Sequence, residues 1–233
     1  MIPCISVDNM RKSDAYTIEH FVPSLELMRR AAWGVFQAVS WTSPVAIVVG
    51  SGNNGGDGFA LSCILNDHHI SCTVFTVSDK RSADSAYYEA QAKNMDIPVI
   101  PFFGGCLNDF PIVVDCLLGT GFQGIVRGLY RTAIEEINQS GSYVVSVDIN
   151  SGMNGDSGDA ELAVYSDLTV TIGFVKQGMV QQSAGNYMKR LVCADIGIVL
   201  AGTEAQISGN HEIAGPGVYS CPPWLDMEPI PVR

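Results

Sequence analysis

The chain has 233 residues, of which 47% are hydrophobic and 16% are charged. This composition is typical of a compact globule with one sizeable α/β domain or at most two small ones, and it excludes a disordered chain. The formal net charge of -11 at pH 7 excludes nucleic acid and anionic membranes as partners, because both bind basic surfaces.

The cysteines and the N-terminus indicate a cellular compartment. The seven cysteines are dispersed and contain no Cys-x-x-Cys pair, which favours reduced thiols over disulfides or a zinc site. Residues 1–8 lack the charged segment and apolar run of a signal peptide, and no apolar stretch is long enough to cross a bilayer. We therefore expect a cytoplasmic protein.

Two helices are predicted ahead of the first strand. Asp8 can cap the first, over about residues 8–21, and Pro23 or Ser24 can start the second, which runs to about Ser40. In the second helix, apolar residues recur at three- and four-residue spacing and form one stripe, which indicates packing against a core. The stripe consists of Leu25, Met28, Ala32, Val35 and Val39.

The next segment carries the strongest functional signal. Residues 45–49 form an apolar run of the length of a buried parallel strand, and residues 59–65 form the apolar side of a helix. Between them we predict a loop that contains five glycines. Glycines let backbone N–H groups approach a ligand, and a helix N-terminus favours negative charge. This unit indicates the first strand, loop and helix of a doubly wound α/β domain.

Two interpretations of this loop stay open: an ordinary dinucleotide site, and a site for a cation or another polar ligand. The pattern Gly50-x-Gly52-x-x-Gly55 fits the dinucleotide fingerprint, and Asp79 after the next strand could bind a ribose, as in an NAD-dependent dehydrogenase. Against this interpretation, Asp57 would place a carboxylate near the pyrophosphate. Asn53 and Asn54 add side-chain carbonyls that can bind a cation or orient a polar ligand.

The rest of the chain alternates strands with helices. Such alternation implies right-handed crossovers and a mostly parallel sheet, which predicts a Rossmann-like, doubly wound α/β fold with helices on both faces. The predicted strands cover residues 70–77, 97–100, 111–115, 143–149, 167–173 and 191–198, and the predicted helices cover residues 83–95 and 128–140.

Two more carboxylates end predicted strands. Asp115 leads into a glycine-rich loop at 119–124, and Asp148 leads into the loop 150–158. Ligands of open α/β sheets bind beyond the carboxyl ends of the strands, so both acids are expected at the edge that carries Asp57. Taken alone, Asp115 could equally be a helix N-cap.

Three motifs stand in the order found in the YjeF N-terminal domain, the family of NAD(P)H-hydrate epimerases. The segment Gly52-Asn-Asn-Gly-Gly-Asp-Gly58 resembles the family's signature loop, and Asp115-x-x-x-Gly-Thr-Gly121 resembles its second motif. The third is Val147-Asp-Ile-Asn-Ser-Gly152, where Asn150 replaces a proline and is expected to loosen the backbone. Arg29 also departs from the family, which has an acid there.

The resemblance extends over about residues 8–198, including Lys176-x-Gly178 and the closing Asp195-Ile-Gly-Ile198. It implies a single domain of this type over residues 1–200. The remaining residues, 201–233, contain several prolines and are expected to form a loop-rich C-terminal extension.

The resemblance implies that the protein interconverts the R and S forms of hydrated NADH and NADPH, a repair of damaged nicotinamide nucleotides. It also implies one K⁺ per subunit at Asn54, Asp115 and Ser151, a homodimer, and a separate NAD(P)H-hydrate dehydratase in the same pathway. The implied contacts to the hydrated nucleotide are Asn53, Asn54, Gly55, Gly56, Asp57, Gly119, Thr120, Gly121, Phe122, Gln123, Gly124, Ile125 and Asp148.

The residue types agree with this chemistry. Carboxylate, amide and hydroxyl oxygens suit a hard cation, and no histidine lies in a motif, which disfavours zinc and Ser-His-Asp chemistry. We predict Asp148 as the catalytic acid and base, while Lys176 could bind a phosphate, pair with an acid or be an ordinary surface lysine. The alternatives are a non-catalytic ligand-binding or scaffold module of the same fold and an NAD-dependent dehydrogenase.

Overall fold

A computed structural model describes residues 4–201 and the backbone of residues 227–231. Its α-helices are α1 (Val7–His20), α2 (Ser24–Ala38), α3 (Asn53–Asp67), α4 (Ala83–Asn94) and α5 (Gly128–Gln139). Its strands are β1 (Cys4–Ile5), β2 (Val45–Val49), β3 (Cys72–Thr76), β4 (Val99–Pro101), β5 (Ile112–Cys116), β6 (Tyr143–Val147), β7 (Leu168–Ile172), β8 (Val175–Lys176), β9 (Leu191–Asp195) and β10 (Met227–Pro231).

Eight of these strands form one sheet in the order β10-β9-β7-β6-β5-β2-β3-β4, and every pair of neighbours is parallel. The chain winds outward from β2 through β3 to β4, and in the other direction from β5 through β6 to β7. The predicted doubly wound α/β fold is thereby confirmed. Its winding reverses between β2 and β5, and a crevice is expected at their carboxyl ends.

The sheet is covered by helices on both faces because its central strands are apolar on both sides. In β2 all five residues are fully buried. Val45, Ile47 and Val49 pack in the cluster that contains residues of α2 and α3, whereas Ala46 and Val48 pack in the cluster that contains residues of α5. A strand that is buried on both faces is typical of a parallel sheet. Because successive side chains of β2 point to opposite faces, α3 and α5 pack on opposite sides of the sheet.

The predicted glycine loop is wrong, because the structure continues the helix through it. Helix α3 begins at Asn53 with Gly52 as its N-cap, so the glycines at 55, 56 and 58 lie in its first turns. They are needed for close packing. A Cβ on Gly55 would lie 2.3 Å from the Gly50 carbonyl oxygen, and one on Gly58 would lie 2.7 Å from Cγ1 of Val49.

The N-terminus also differs from prediction. Ser6 caps α1, with its Oγ accepting a hydrogen bond from the Asn9 N–H at 3.1 Å, whereas Asp8 lies in the first turn and pairs with Lys12 at 2.6 Å. The strands β1 and β8 form a separate two-stranded parallel sheet. At two residues each, they are too short to produce a sequence pattern.

The C-terminal extension contributes one described strand, β10, which pairs in parallel with β9 at the edge of the sheet. Its prolines, Pro229 and Pro231, fit an edge position because they cannot donate to a ladder. Residues 202–226 and 232–233 lie outside the described residues, so the predicted loop-rich character of most of the extension stays a prediction.

The remaining sequence-based expectations concern membrane spans and disulfides. Within residues 4–201 and 227–231, no helix combines the length and the apolar character that crossing a bilayer requires. The six cysteines in this part of the chain form no disulfide with one another.

Candidate functional site

A cleft of about 620 Å³ lies at the carboxyl ends of β2 and β5, where the winding of the sheet reverses. We call the part of the lining formed by α1 and α2 the helical wall, and the part formed by the loops after β2, β5 and β6 and by the first residues of α3 the loop wall. Its volume is in the range of small-molecule sites. The helical wall consists of Val7, Met10, Arg11, Asp14, Ile18, Ser24, Leu27, Met28 and Ala31. The loop wall consists of Ser51, Gly52, Asn53, Asn54, Leu117, Leu118, Gly119, Thr120, Gly121, Phe122, Gln123 and Asp148.

The N-terminus of α3 opens into the loop wall. Gly52 and Asn53 are exposed, and a side chain at Gly52 would meet no atom within 4 Å. The first N–H groups of a helix have no partner within the helix, and its dipole favours negative charge there. This end of the cleft can therefore hold an anionic group such as a phosphate, although the chain as a whole is acidic.

Gly119 brings two polar side chains of the loop wall together. A Cβ at this position would lie 3.0 Å from Oδ2 of Asp148 and 3.3 Å from Cβ of Asn54. A larger residue would displace one of these side chains. Glycine is therefore required at position 119 for steric reasons, because it lets the side chains of Asp148 and Asn54 approach each other in the cleft.

Asp148 is held firmly in the loop wall. Its Oδ2 accepts a hydrogen bond from the Thr120 N–H at 3.1 Å, and its Oδ1 accepts one from Nζ of Lys176 at 2.6 Å. Its φ of 69° is the left-handed conformation, which few residues other than glycine adopt and which is concentrated at functional sites. With 15% of its side chain exposed, Asp148 presents a carboxylate of fixed orientation to the cleft.

Lys176 is fully buried, so it is not a surface lysine, and its contacts decide between the other two roles. Besides Asp148, its Nζ donates to Oγ1 of Thr171 at 2.9 Å and to the Ile172 carbonyl at 3.0 Å. All three N–H bonds are thus used, and the residue does not line the cleft. Lys176 pairs with an acid and is in no position to bind a phosphate.

Asp115 and Ser151 lie beneath the loop wall and are fully buried. Burial raises the pKa of Asp115, while hydrogen bonds from Ser151, Leu117 and Ser146 oppose that rise. The carboxylate accepts from both the N–H and the Oγ–H of Ser151, from the Leu117 N–H and from Oγ of Ser146. Ser151 Oγ in turn accepts from the Leu118 N–H at 2.8 Å.

Asn54 is the unsatisfied group of the site. Only 8% of the residue is exposed, and neither its Oδ1 nor its Nδ2 has a hydrogen-bond partner among the described residues. An unpaired buried amide costs roughly 1–3 kcal/mol, so a position like this one requires a reason. Asn54 lies beside Gly119. The residue before Gly119, Leu118, donates its N–H to Oγ of Ser151. A ligand that binds next to Asn54 would give its amide a hydrogen-bond partner.

Asp14 is a titratable cleft residue that is absent from the site predicted from the sequence. Burial raises its pKa to about 6, an effect that Lys176 reduces and Asp148 increases. The signal was present in the sequence, because Asp14 falls at four-residue spacing between Met10 and Ile18 and so puts a carboxylate on the inner stripe of an amphipathic helix.

Asp57, which the sequence did single out, lines the cleft together with Asp14. Burial raises its pKa well above the usual range, and the nearby charges of Asp148 and Asp14 raise it further. The acid therefore favours the protonated form, in which it can donate a hydrogen bond to a ligand.

The structure brings most of the predicted contact residues into the cleft but not all of them. Gly55 and Gly56 are buried in α3, where a Cβ on Gly56 would lie 2.6 Å from Cε of Met28. Gly124 lines a separate pocket of about 190 Å³, and Ile125 lines neither. The predicted residues that line the cleft are Asn53, Asn54, Asp57, Gly119, Thr120, Gly121, Phe122, Gln123 and Asp148.

The two departures from the motif pattern have local roles. The expectation that Asn150 loosens the backbone is wrong, because its buried side chain joins three segments. Its Nδ2 donates to the carbonyls of Val164 and Tyr187, both at 2.9 Å, and its Oδ1 accepts from Thr169 Oγ1 at 2.7 Å.

Arg29 pairs with Glu26 in the same helix at 2.8 Å. Its neighbour Arg30 also reaches Glu26, at 3.0 Å, and donates to the Ile196 carbonyl at 3.2 Å. The hydrogen bond from Arg29, supplemented by that from Arg30, lowers the pKa of Glu26 to about 2. Arg30 thus fastens α2 to the segment after β9, and neither arginine lines the cleft.

Known proteins resemble this chain over most of its length. Residues 24–178 match the family described as YjeF-related protein N-terminus. A Limosilactobacillus fermentum protein named NAD(P)H-hydrate epimerase is 35% identical over 199 residues, which cover 82% of this chain and 95% of that protein. An Oenococcus oeni protein of the same name is 32% identical and is covered over 96% of its length.

Two other proteins add information on length and on fold. A Coxiella burnetii protein named bifunctional NAD(P)H-hydrate repair enzyme is 32% identical over 90% of this chain, but only 44% of that protein is covered. The crystal structure of yeast ynu0 superposes with a TM-score of 0.69 at 21% identity, covering 79% of this chain and 86% of the yeast chain. The yeast structure shows the same fold.

Proposed function

This chain belongs to the family of YjeF-related protein N-termini, and we propose that it is an NAD(P)H-hydrate epimerase, an isomerase that interconverts the R and S forms of hydrated NADH and NADPH. The observation that carries the proposal is the agreement between family and site. Relatives matched almost from end to end are named for this reaction, and the three motifs meet in one cleft at the switch point of the sheet.

The cleft has the properties that this substrate requires. The hydrated nucleotide carries a pyrophosphate, and the N-terminus of α3 beside Asn53 provides unpaired N–H groups and a favourable dipole for it. The nicotinamide end carries polar carboxamide and hydroxyl groups, for which Asn54 and Asp57 supply unused hydrogen-bonding capacity. An overall acidic chain can thus bind an anion through local backbone groups.

Asp148 is the catalytic carboxylate of this proposal. The C6 carbon of the hydrate is a carbinolamine, so loss of the hydroxyl with help from the ring nitrogen gives a cationic, iminium-like ring. A carboxylate held by Lys176 and the Thr120 N–H is preorganised to stabilise that cation. The same carboxylate can exchange a proton with the leaving hydroxyl or the entering water.

The first test is the reaction itself. Purified protein is mixed with a sample enriched in one epimer of hydrated NADH, and interconversion is followed by NMR at a pH where the uncatalysed rate is slow. We expect equilibrium to be reached faster in proportion to protein concentration. A mixture that changes only at the buffer rate would contradict the enzyme and favour a non-catalytic ligand-binding module.

We further propose a K⁺ ion at Asn54, Asp115 and Ser151. Three features support it: the orphaned buried amide of Asn54, the buried carboxylate of Asp115, and the hydroxyl of Ser151, which donates to that carboxylate. One carboxylate with neutral oxygens suits a large monovalent cation better than Mg²⁺, whose octahedral demand is strict. When bound, the ion would offset the acidity of the cleft beside the substrate's phosphates.

Thermal unfolding in potassium, sodium and tetramethylammonium chloride at equal ionic strength tests this site. We expect a higher midpoint in potassium than in the organic cation, by mass action on the folded state. Asn54→Leu is the informative variant, because the Asn54 side chain has no described hydrogen bond to lose. It should fold normally and lose the potassium effect, whereas equal midpoints for wild type in all three salts would contradict the site.

Two partner assignments belong to the same proposal. We propose a homodimer that forms through the N-terminal helices, where the exposed Phe21 at the end of α1 offers apolar contact area. We also propose that a separate NAD(P)H-hydrate dehydratase acts in the same pathway. The bifunctional relative supports this second assignment, because more than half of its length lies outside the part matched by this chain.

A further inference from the structure

If the protein has the proposed function, inversion at C6 requires proton transfer on both faces of the ring, and one carboxylate cannot provide both. The hydroxyl leaves from one face of the ring and water enters from the other. A side chain of fixed orientation reaches the oxygen on one face only. Asp148 is fixed by Thr120 and Lys176, so proton transfer on the opposite face needs a second group.

Asp14 is a carboxylate on the other wall of the same cleft. It projects from the middle of α1 in the helical wall, whereas Asp148 belongs to the loop wall. Asp14 is partly buried, and no donor among the described residues bonds to its oxygens. The Asn54 amide, more than nine-tenths buried in the same cleft and without a partner among the described residues, indicates that the cleft holds a polar ligand or an ion.

We propose that Asp14 and Asp148 flank C6 of the bound hydrate and that each carries the proton on its own face. In one direction, protonated Asp14 gives its proton to the C6 hydroxyl, the C–O bond breaks, water departs and the N1 lone pair forms a C=N bond. Water then adds to C6 from the Asp148 side, and Asp148 takes the proton that this water releases. The reverse direction exchanges the two roles.

The charges around Asp14 suit this role. With its pKa raised to about 6 by burial, the carboxyl is present in both forms near neutral pH and can act as acid or as base. Asp57 is less suitable, because burial raises its pKa well above the usual range and keeps the proton on it. The other titratable groups that line the cleft are Arg11 and Asp84.

The test is Asp14→Asn in water enriched in ¹⁸O, with each epimer of the hydrate supplied separately. We expect interconversion to fall by roughly 10²–10⁴-fold, the usual contribution of a positioned acid or base. The epimer whose hydroxyl faces Asp148 should still exchange its oxygen with solvent and keep its configuration, and the other epimer should not. The control is Glu19→Gln, which removes a charge from the exposed side of the same helix.

Each other outcome is decisive. Active wild type together with an Asp14→Asn variant that interconverts the epimers within about twofold of the wild-type rate overturns the assignment of Asp14 alone. Loss of oxygen exchange from both epimers overturns the division of the faces. Wild-type protein without epimerase activity overturns the proposed function and this inference with it.

Stability shows whether Asp14 is free, as the inference requires. Its raised pKa means that the folded protein binds a proton more tightly than the unfolded chain, so stability falls as pH rises from about 4 to about 6. Asp14→Asn should therefore unfold at a higher temperature than wild type at pH 7.5 and at a similar temperature at pH 3.5. A lower midpoint at pH 7.5 would show that the carboxylate has a partner, which contradicts the inference.

Discussion

Asp148→Asn is expected to lower kcat for epimer interconversion by roughly 10²–10⁴-fold. The substitution preserves size but removes both the negative charge and the ability to carry a proton. The charge and the proton transfer stabilise the cationic ring of the transition state and contribute little to substrate binding. We therefore expect kcat and kcat/KM to fall together while KM changes little. The measurement is steady-state epimerisation followed by NMR, with the uncatalysed rate subtracted.

The local hydrogen bonds set the control for this variant. Both oxygens of Asp148 accept, one from Lys176 and one from the Thr120 N–H, so the amide NH₂ of asparagine must face one of these donors. Some stability is therefore lost, and folding has to be checked separately. Asp195→Asn is matched, since Asp195 ends β9, accepts from the Gly197 N–H and lies outside the cleft. Asp148→Asn as active as Asp195→Asn would remove Asp148 from the mechanism.

Lys176→Met is expected to destabilise the protein by about 3–5 kcal/mol, the typical cost of breaking a buried ion pair by removing one partner. Nζ of Lys176 is fully buried and is the partner of Asp148, Thr171 and the Ile172 carbonyl. Without it, a carboxylate with only 15% of its side chain exposed keeps its charge with no counter-ion. Urea unfolding of both proteins measures the difference.

Two further variants separate the ion pair from other effects. Lys189→Met makes the same substitution in an ion pair of the same 2.6 Å length with Asp167, but Lys189 is 77% exposed, so little change is expected. Asp148→Asn combined with Lys176→Met removes both charges and should recover part of the stability lost in Lys176→Met. If the double variant is as unstable as the sum of the single ones, the loss comes from packing and not from the charge pair.

Sequence alone was enough for the architecture, because the architecture depends on patterns repeated over many residues. Apolar β-branched runs such as Val45–Val49 identify buried parallel strands, and their alternation with helices implies the doubly wound sheet. The motif acids Asp57, Asp115 and Asp148 were placed at one sheet edge for the same reason.

Short or local features were less predictable. The glycines of 52–58 suggested a loop because glycine disfavours helix interiors, but their contact with Val49 and the Gly50 carbonyl makes glycine necessary in the first turns of α3. Tertiary packing outweighs intrinsic propensity at that point. Likewise, Asn150 reads as a loose turn in sequence, whereas in three dimensions its side chain holds three segments together.

The sequence by itself determined the sheet, the sheet edge at which the cleft lies and the family, since each depends on local pattern and spacing. Only the tertiary structure decided which polar groups share the cleft, which of them are buried and which have a hydrogen-bond or ion-pair partner. Lys176 is distant in sequence from Asp148 but neutralises it, Asp115 is buried beneath the cleft, and Asn54 is left without a partner. Asp14 joins the site because α1 lines the cleft, and burial there raises its pKa.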